Sequence, residues 1–392
     1  MDLGRSIKDF FKKGDVLLLV LCLIASLAGL VLIYSATRYS EARQDDVFKQ
    51  ALFICMGVVI YVILTFIDVE FLLEKWWKVL LVLGILIILL IIPFGVEDNT
   101  GNRSWVYLPG VPFGFQPGEM AKLVYVMVMS WLLNHERSLG VSRFSSVIKY
   151  VALTGLMAGI LAVLSGDFGM VLVYIFLFVI LAWVGGVNKW WFITVGGGLV
   201  GAVLFLWNFI LPRTPLWTDY RIMRFRVVLD HTLDPMGKGW QQSRSLLAIG
   251  SGGLTGMGYL NGKQTQSPSS ENLPARHTDF IFSVCGEEFG LIGCCAVLLI
   301  LLAIILRCIW VSRRAKSHMS AYIAMGFAGM LMIQTIINVG MCLYVMPVIG
   351  LTLPFFSYGG SSTLTLFIAM GIVSSIKARP LPSWLKDRRN QV

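Results

Sequence analysis

Uncharged apolar runs long enough to cross a hydrocarbon core of about 30 Å recur along the chain. They predict spans near Val16–Tyr34, Ala51–Ile67, Val79–Val96, Glu119–Leu133, Tyr150–Gly166, Phe168–Val187, Trp190–Pro212 and Phe289–Leu306. From Ala321 to Ile376 there are 56 residues without a charge, enough for two more. The Pro/Gly-rich stretch Pro347–Pro354 divides them, because it cannot continue a helix. The pattern predicts an all-α polytopic membrane protein of about ten transmembrane helices. The fourth span carries Glu119 and Lys122 in its first turn.

Composition agrees. Hydrophobic residues make up 57% of the chain and charged residues 14%, against roughly 25% charged in a soluble domain. Disorder, a coiled coil and a disulfide-stapled module are excluded. The net charge of +10 raises the question of nucleic acid, but Lys and Arg are scattered between apolar runs. That distribution suits the positive-inside rule and contact with the lipid bilayer, and no nucleic acid. The seven cysteines lie in or beside apolar segments without a CxxC pair, and the four histidines are dispersed. Neither a disulfide framework nor a zinc site is visible.

Counting Lys and Arg orients the chain. The side holding both termini carries nineteen, the opposite short segments five, and the long loop Arg213–Glu288 eight. Loops beyond about 60 residues hardly count. Both termini are therefore expected in the cytoplasm. Residues 1–392 then form one membrane domain, with 213–288 as a large extracellular loop between helices 7 and 8. The first span is too long for a cleavable signal peptide and lacks a small-residue cleavage site.

The polar residues that interrupt the spans sort to one side. Arg103, Glu119, Lys122, Asp167, Asp279 and the Glu287–Glu288 pair all fall at external ends. A charge at bilayer depth is expensive and usually faces a water-filled cavity, so the set predicts a polar cavity open to the outside. The long loop adds Arg221, Arg224 and Arg226, then the glycine-rich Gly250–Gly258. No strand precedes those glycines, so they are read as tight turns or close backbone approaches rather than a nucleotide loop. Basic residues beside them suit a diphosphate or another anion. Asp279 leads directly into the aromatic, membrane-entering Phe280-Ile-Phe282. Partial desolvation there would make it a better proton acceptor at neutral pH.

Several motifs are familiar: Gly101-Asn-Arg-Ser-Trp105, Phe115-Gln-Pro-Gly-Glu-Met-Ala-Lys122, Asp167-Phe-Gly169 and Ala248-Ile-Gly-Ser-Gly-Gly253. The most specific are Leu273-Pro-Ala-Arg-His-Thr-Asp-Phe-Ile-Phe282 with Gly286-Glu-Glu-Phe-Gly290, and Asn338-Val-Gly-Met341 followed by Pro354-Phe-Phe-Ser-Tyr-Gly-Gly-Ser-Ser362. Through them the chain resembles, over nearly its whole length, the SEDS family (shape, elongation, division and sporulation; the RodA/FtsW/SpoVE type). It departs from the family pattern at Gly118, at Ser165-Gly166 before the aspartate and at Arg244, none of which removes a charged residue of the candidate site.

The resemblance implies a peptidoglycan glycosyltransferase that polymerises lipid II outside the cytoplasmic membrane, with a lean toward the elongation branch. Asp279 matches the essential aspartate, implying a general base. Glu119, Lys122, Asp167 and Arg224 match other polar positions of the external cavity. Arg103, Arg276 and Ser357, on the quoted motifs, complete the implied substrate-binding set. An α-linked donor giving a β-linked glycan requires inversion in one displacement. The leaving lipid diphosphate calls for Arg, Lys or a divalent cation, Mg²⁺ or Mn²⁺. No residue set in the sequence guarantees a metal.

The implied partner is a class B penicillin-binding protein, a single-span transpeptidase. The small residues Gly293, Cys294, Ala296, Ala324, Gly326 and Gly329 are its candidate docking face, since small side chains permit close helix approach. Two other classes share ten spans and intramembrane charges: a lipid flippase or transporter, and a non-enzymatic scaffold. No inverted repeat of broken spans supports the first. An Asp279→Asn variant separates the second from an enzyme.

Overall fold

The computed structural model describes residues 10–39, 43–97, 102–110, 113–210, 223, 226–228, 230, 239–268 and 272–379. The long helices are α1 (Val16–Ala36), α2 (Arg43–Phe66), α3 (Val69–Leu89), α4 (Pro117–Glu136), α5 (Phe144–Ser165), α6 (Phe168–Val184), α7 (Gly197–Phe205), α8 (Trp240–Gly252), α9 (Ile281–Arg313), α10 (His318–Cys342) and α11 (Gly360–Ala378). Seven of them, α1, α2, α3, α5, α9, α10 and α11, are long and apolar enough to cross a membrane. Each expected span coincides with helix over most of its described residues. The Trp190–Pro212 stretch is an irregular one, with α7 flanked by π-helical turns at Phe192–Gly196 and Leu206–Ile210. Glycines at 196, 197, 198 and 201 there weaken helix propensity.

The fold is all-α, with one small addition. A small antiparallel ribbon, β1 (Gly95–Val96) with β2 (Trp105–Val106), is extended by a bridge from Val106 to Phe115. The long loop also contains α8, which the composition of Arg213–Arg276 had concealed.

Helix α9 begins at Ile281, ahead of the expected Phe289, because its acidic pair is neutralised by hydrogen bonds rather than by water. Glu287 is fully buried and accepts from Gln264 N–H, Thr265 N–H and Thr265 Oγ1 at 2.6–2.8 Å. Glu288 accepts from Ser35 Oγ and Gln266 Nε2. The same helix breaks at Gly290, whose φ of +66° and ψ of −161° suit glycine alone. The freed backbone groups find partners in the glycine-rich loop. Met257 N–H and Gly258 N–H donate to the Glu287 and Glu288 carbonyls, and Leu291 N–H and Ile292 N–H donate to Gly253 O and Leu254 O. A Cβ on Gly252 or Gly256 would collide with the α9 backbone. These glycines therefore serve close approach to the chain's own helix.

At one end of the bundle α1 and α11 meet. Asp15 caps α1, is gripped by Arg307 through two nitrogens at 2.9–3.1 Å, and donates its N–H to Ser374 Oγ, while Lys377 Nζ donates to Gly14 O. The start of α1 and the end of α11 thus lie at one end of the bundle. The chain is a multi-pass membrane protein whose opposite end carries the candidate site.

Candidate active site

The segment before α9 places Asp279. Ala275 takes a left-handed φ of +49°, and its carbonyl accepts from Thr278 N–H, Phe280 N–H and Thr278 Oγ1, folding residues 275–280 into a tight turn. A non-glycine residue at such a φ persists only where its surroundings enforce it. Three contacts do so here. Ser357 Oγ donates to Thr278 O at 2.6 Å, Tyr358 N–H donates to His277 O at 2.9 Å, and Asn338 Nδ2 donates to Asp279 O at 2.8 Å. Asn338 is fully buried and also donates to Leu351 O, so α10 ties the aspartate to the loop before α11. The aspartate's backbone is anchored, while its half-buried side chain faces a cleft.

That cleft is about 530 Å³, within the range of small-molecule sites. Asp279 and Asp167 both line it, with Asn102, Ser104, Gln116, Gln241, Thr352 and the Tyr358–Ser362 stretch. The Asp279 carboxylate lies 4.0 Å from where a Cβ on Gly350 would stand. With Gly350 at φ +70°, a side chain there would be both strained and in the way. Asp167 caps α6 through Met170 N–H and accepts from Ser104 Oγ and Gln116 Nε2. Burial pushes its carboxyl above the usual range, partly offset by the Met170 and Ser104 hydrogen bonds. Ser165 and Gly166 suit this turn. Ser165 Oγ accepts from Asp167 N–H, and Gly166 takes φ +68°.

Other candidate residues stand elsewhere, which corrects the expectation that all the external charges share one cavity. Glu119 and Lys122 form an ion pair at 2.6 Å, with Lys122 fully buried and Gln334 beside the carboxylate. One helical turn brings them together, and the low-dielectric interior holds them there. Glu287 and Glu288 are consumed by the 264–266 loop and Ser35. Arg276 is buried and donates to Thr265 O and Ser267 O, a brace for the same loop. Arg103 is exposed and pinned through Gly95 O and Ser165 O, while its neighbours Asn102 and Ser104 reach the cleft. Ser357 supports Thr278 from behind. Arg224 lies outside the described residues.

Part of the candidate docking face is turned inward, while Gly293 is half-buried and Ala296 exposed. A Cβ on Gly326 would meet Val126 and Leu181, and one on Gly329 would meet Ile180, so these glycines pack α10 on α4 and α6 of the same chain. Ala324 and Cys294 are buried too. A stripe of small residues marks close packing, and here the close neighbours are internal.

Sequence reasoning missed Lys49, Gln241 and the role of Asn338. Lys49 sits in an ordinary amphipathic stretch before the second span. Asn338 could have been found: with Gln334 it forms an i, i+4 amide pair inside an otherwise apolar run. Among the described residues no three His, Cys, Asp or Glu side chains converge as a metal cage.

Residues 15–380 match the sequence profile of the FtsW/RodA/SpoVE family, described as "Cell cycle protein". The peptidoglycan glycosyltransferase MrdB of Escherichia coli K12 is 33% identical over 382 residues, 94% of this chain and 95% of that protein. The stage V sporulation protein E of Bacillus subtilis is 31% identical, covering 92% and 96%. Among solved structures, a chain from a peptidoglycan synthase complex, described as coordinating polymerization and crosslinking, superposes with a TM-score of 0.76. It is 28% identical, with 93% and 97% covered. The Thermus thermophilus rod shape determining protein RodA superposes at 0.66, 25% identical, with 94% and 98% covered. The chain therefore belongs to the FtsW/RodA/SpoVE family, the SEDS membrane proteins.

Proposed function

We propose that this chain is a peptidoglycan glycosyltransferase that polymerises lipid II on the outer face of the cytoplasmic membrane, with Asp279 as general base. The observation that carries the reading is an aspartate whose backbone is fixed by Ser357, Asn338 and Tyr358 while its side chain lines a cleft of substrate size. The names of the MrdB relative and of the synthase-complex neighbour support it. The rod-shape-determining neighbour supports a place in building cell shape.

In the proposed step the acceptor's 4-hydroxyl oxygen attacks the anomeric carbon of the lipid-linked donor. The new C–O bond forms as the bond to the diphosphate oxygen breaks, and that oxygen leaves with the electron pair. The hydroxyl proton passes to the Asp279 carboxylate. A sugar hydroxyl does not ionise unaided at neutral pH, so a positioned base contributes about 10²–10⁴-fold. Inversion needs one displacement and no sugar-enzyme intermediate, unlike the two-carboxylate retaining scheme.

The reading takes ten crossings with both termini in the cytoplasm, which puts the cleft outside, where the lipid-linked sugars are polymerised. A class B penicillin-binding protein transpeptidase is the proposed partner, supported by the neighbour that couples polymerization to crosslinking. The test is glycan formation from purified lipid II by the full chain, with and without that partner. Long strands that disappear with Asp279→Asn are expected. No polymer under either condition would overturn the reading.

A further inference from the structure

The cleft holds a second feature that the base does not use. Gly359, Gly360, Ser361 and Ser362, which cap and open α11, all line it. No side chain caps this 19-residue helix. Its first-turn amides therefore present the positive end of the helix dipole to the cleft. Ser361 is 3% exposed, and its Oγ has no hydrogen-bond partner. A buried hydroxyl without a partner among the described residues, in the wall of a polar cavity, is available to bond a ligand atom that enters it. Gly360 packs against the Phe53 ring so closely that a Cβ would collide with it, which keeps the backbone open to an approaching group.

Lys49 stands in the same cleft. It is the one basic side chain among the described residues that line it. It makes no ion pair or hydrogen bond with them, whereas Lys122 is neutralised by Glu119. The acidic neighbour one turn earlier, Asp46, lies close enough to the Tyr358 hydroxyl to raise its pKa. The adjacent Gln50 orients the turn, accepting from Gly359 N–H and donating to Thr363 Oγ1. A cation and a helix N-terminus converging on one spot make an anion site.

We propose that Lys49, the amides of the α11 N-terminus and Ser361 Oγ bind the diphosphate of the lipid-linked donor. This rests on the glycosyltransferase reading and deepens it, replacing the buried Lys122 with an accessible cation. The spacing fits. Thr352 Oγ1 is 3.3 Å from Ser362 Oγ, and Gly350, two residues earlier, faces the Asp279 carboxylate. Two residues span at most about 7 Å, so base and anion site open onto the same part of the cleft. Attack on the anomeric carbon from one side and departure of the diphosphate from the opposite side of that carbon then run through a single cleft.

The test uses the full chain in nanodiscs of zwitterionic lipid, with farnesyl diphosphate, farnesyl monophosphate and farnesol as probes. Diphosphate should bind most tightly, and Lys49→Gln should weaken it at least about tenfold. Ser361→Ala should weaken it by a smaller factor, Lys49→Arg should restore part of the loss, and farnesol binding should be unchanged throughout. The variants should melt with the parent, since neither side chain has an internal partner. Equal diphosphate binding by parent, Lys49→Gln and Ser361→Ala would overturn the proposal. So would equal affinity for mono- and diphosphate together with displacement of both by phosphatidylglycerol, which would assign the anion to a headgroup. The two readings fail separately. Lys49-dependent diphosphate binding without glycan formation from lipid II would sink the activity and leave the site. Normal kcat and KM in Lys49→Gln would sink the site and leave the activity.

Discussion

Two sets of charges sit at the same end of the bundle and behave oppositely. Glu119, Lys122, Glu287 and Glu288 are buried and saturated, each satisfied by a partner of this chain. Asp279 and Lys49 line the cleft as half-buried side chains, with Asp167 in the same wall but buried and bonded to Ser104, Gln116 and Met170. In sequence the sets are indistinguishable, since all are ionisable residues at the ends of apolar runs. The difference teaches that depth alone does not make a charge functional. What matters is whether the fold supplies its counter-charge or leaves that to a ligand.

The sharpest way to break this comparison is to unpair the buried set. Lys122→Met leaves Glu119 buried without its counter-ion and should cost about 3–5 kcal/mol, read as a large drop in thermal stability in detergent. Adding Glu119→Gln should recover most of it, because the isolated charge is gone. An unchanged melting temperature in Lys122→Met would erase the distinction between the two sets.

The cleft set should show the reverse pattern. Asp279→Asn should lose at least about 10²-fold in polymerisation rate, on the order of 3 kcal/mol in the barrier. The Asn338 and Cys342 contacts to the backbone carbonyl of residue 279 are kept in that variant. Near-normal glycan synthesis by that variant would remove Asp279 from the chemistry. A milder effect is expected one step back. Ser357→Ala frees the Thr278 carbonyl, which should cost about 1 kcal/mol of stability. It should lower kcat by about tenfold with KM little changed, and Ser357→Thr should restore part of the rate. A KM effect alone would make Ser357 a binding contact instead.

The smallest effect concerns pH. Burial raises the Asp167 carboxyl in the folded chain, so folding favours its protonated form. That stabilisation is fully present below the unfolded value of about 3.9 and is lost as pH rises through the raised folded value. Asp167→Asn should therefore gain stability relative to the parent as pH is raised from 4 to 7. A difference that stays constant with pH would show that the carboxyl titrates the same way folded and unfolded.

How much of this was legible follows the range of the interactions. Span positions, the shared side of the termini and the importance of the 273–290 segment all come from local patterns of polarity. The pairing of Glu119 with Lys122 was one helical turn away and visible as a possibility. The closure of the cleft was not legible, because Lys49, Ser104, Asp167, Asp279 and Ser361 come from five separate elements. Nor was the internal destination of Gly326 and Gly329, since a small-residue stripe reads the same toward lipid as toward Val126 and Ile180. Helix α9 was placed too late for a related reason. Glu287 and Glu288 look like the mouth of a loop until their donors from 264–266 are in place.

The break at Gly290 bears on how α9 meets the membrane. The part of α9 after the break can enter the bilayer as an ordinary apolar helix. The preceding turn cannot, because its carbonyls and two buried carboxylates depend on residues 253–266 to satisfy them. Each such group left bare in hydrocarbon costs several kcal/mol. The docked 253–266 loop is thus part of what lets this turn, and Asp279 just upstream of it, lie at the membrane end of α9 with every polar group of the break satisfied.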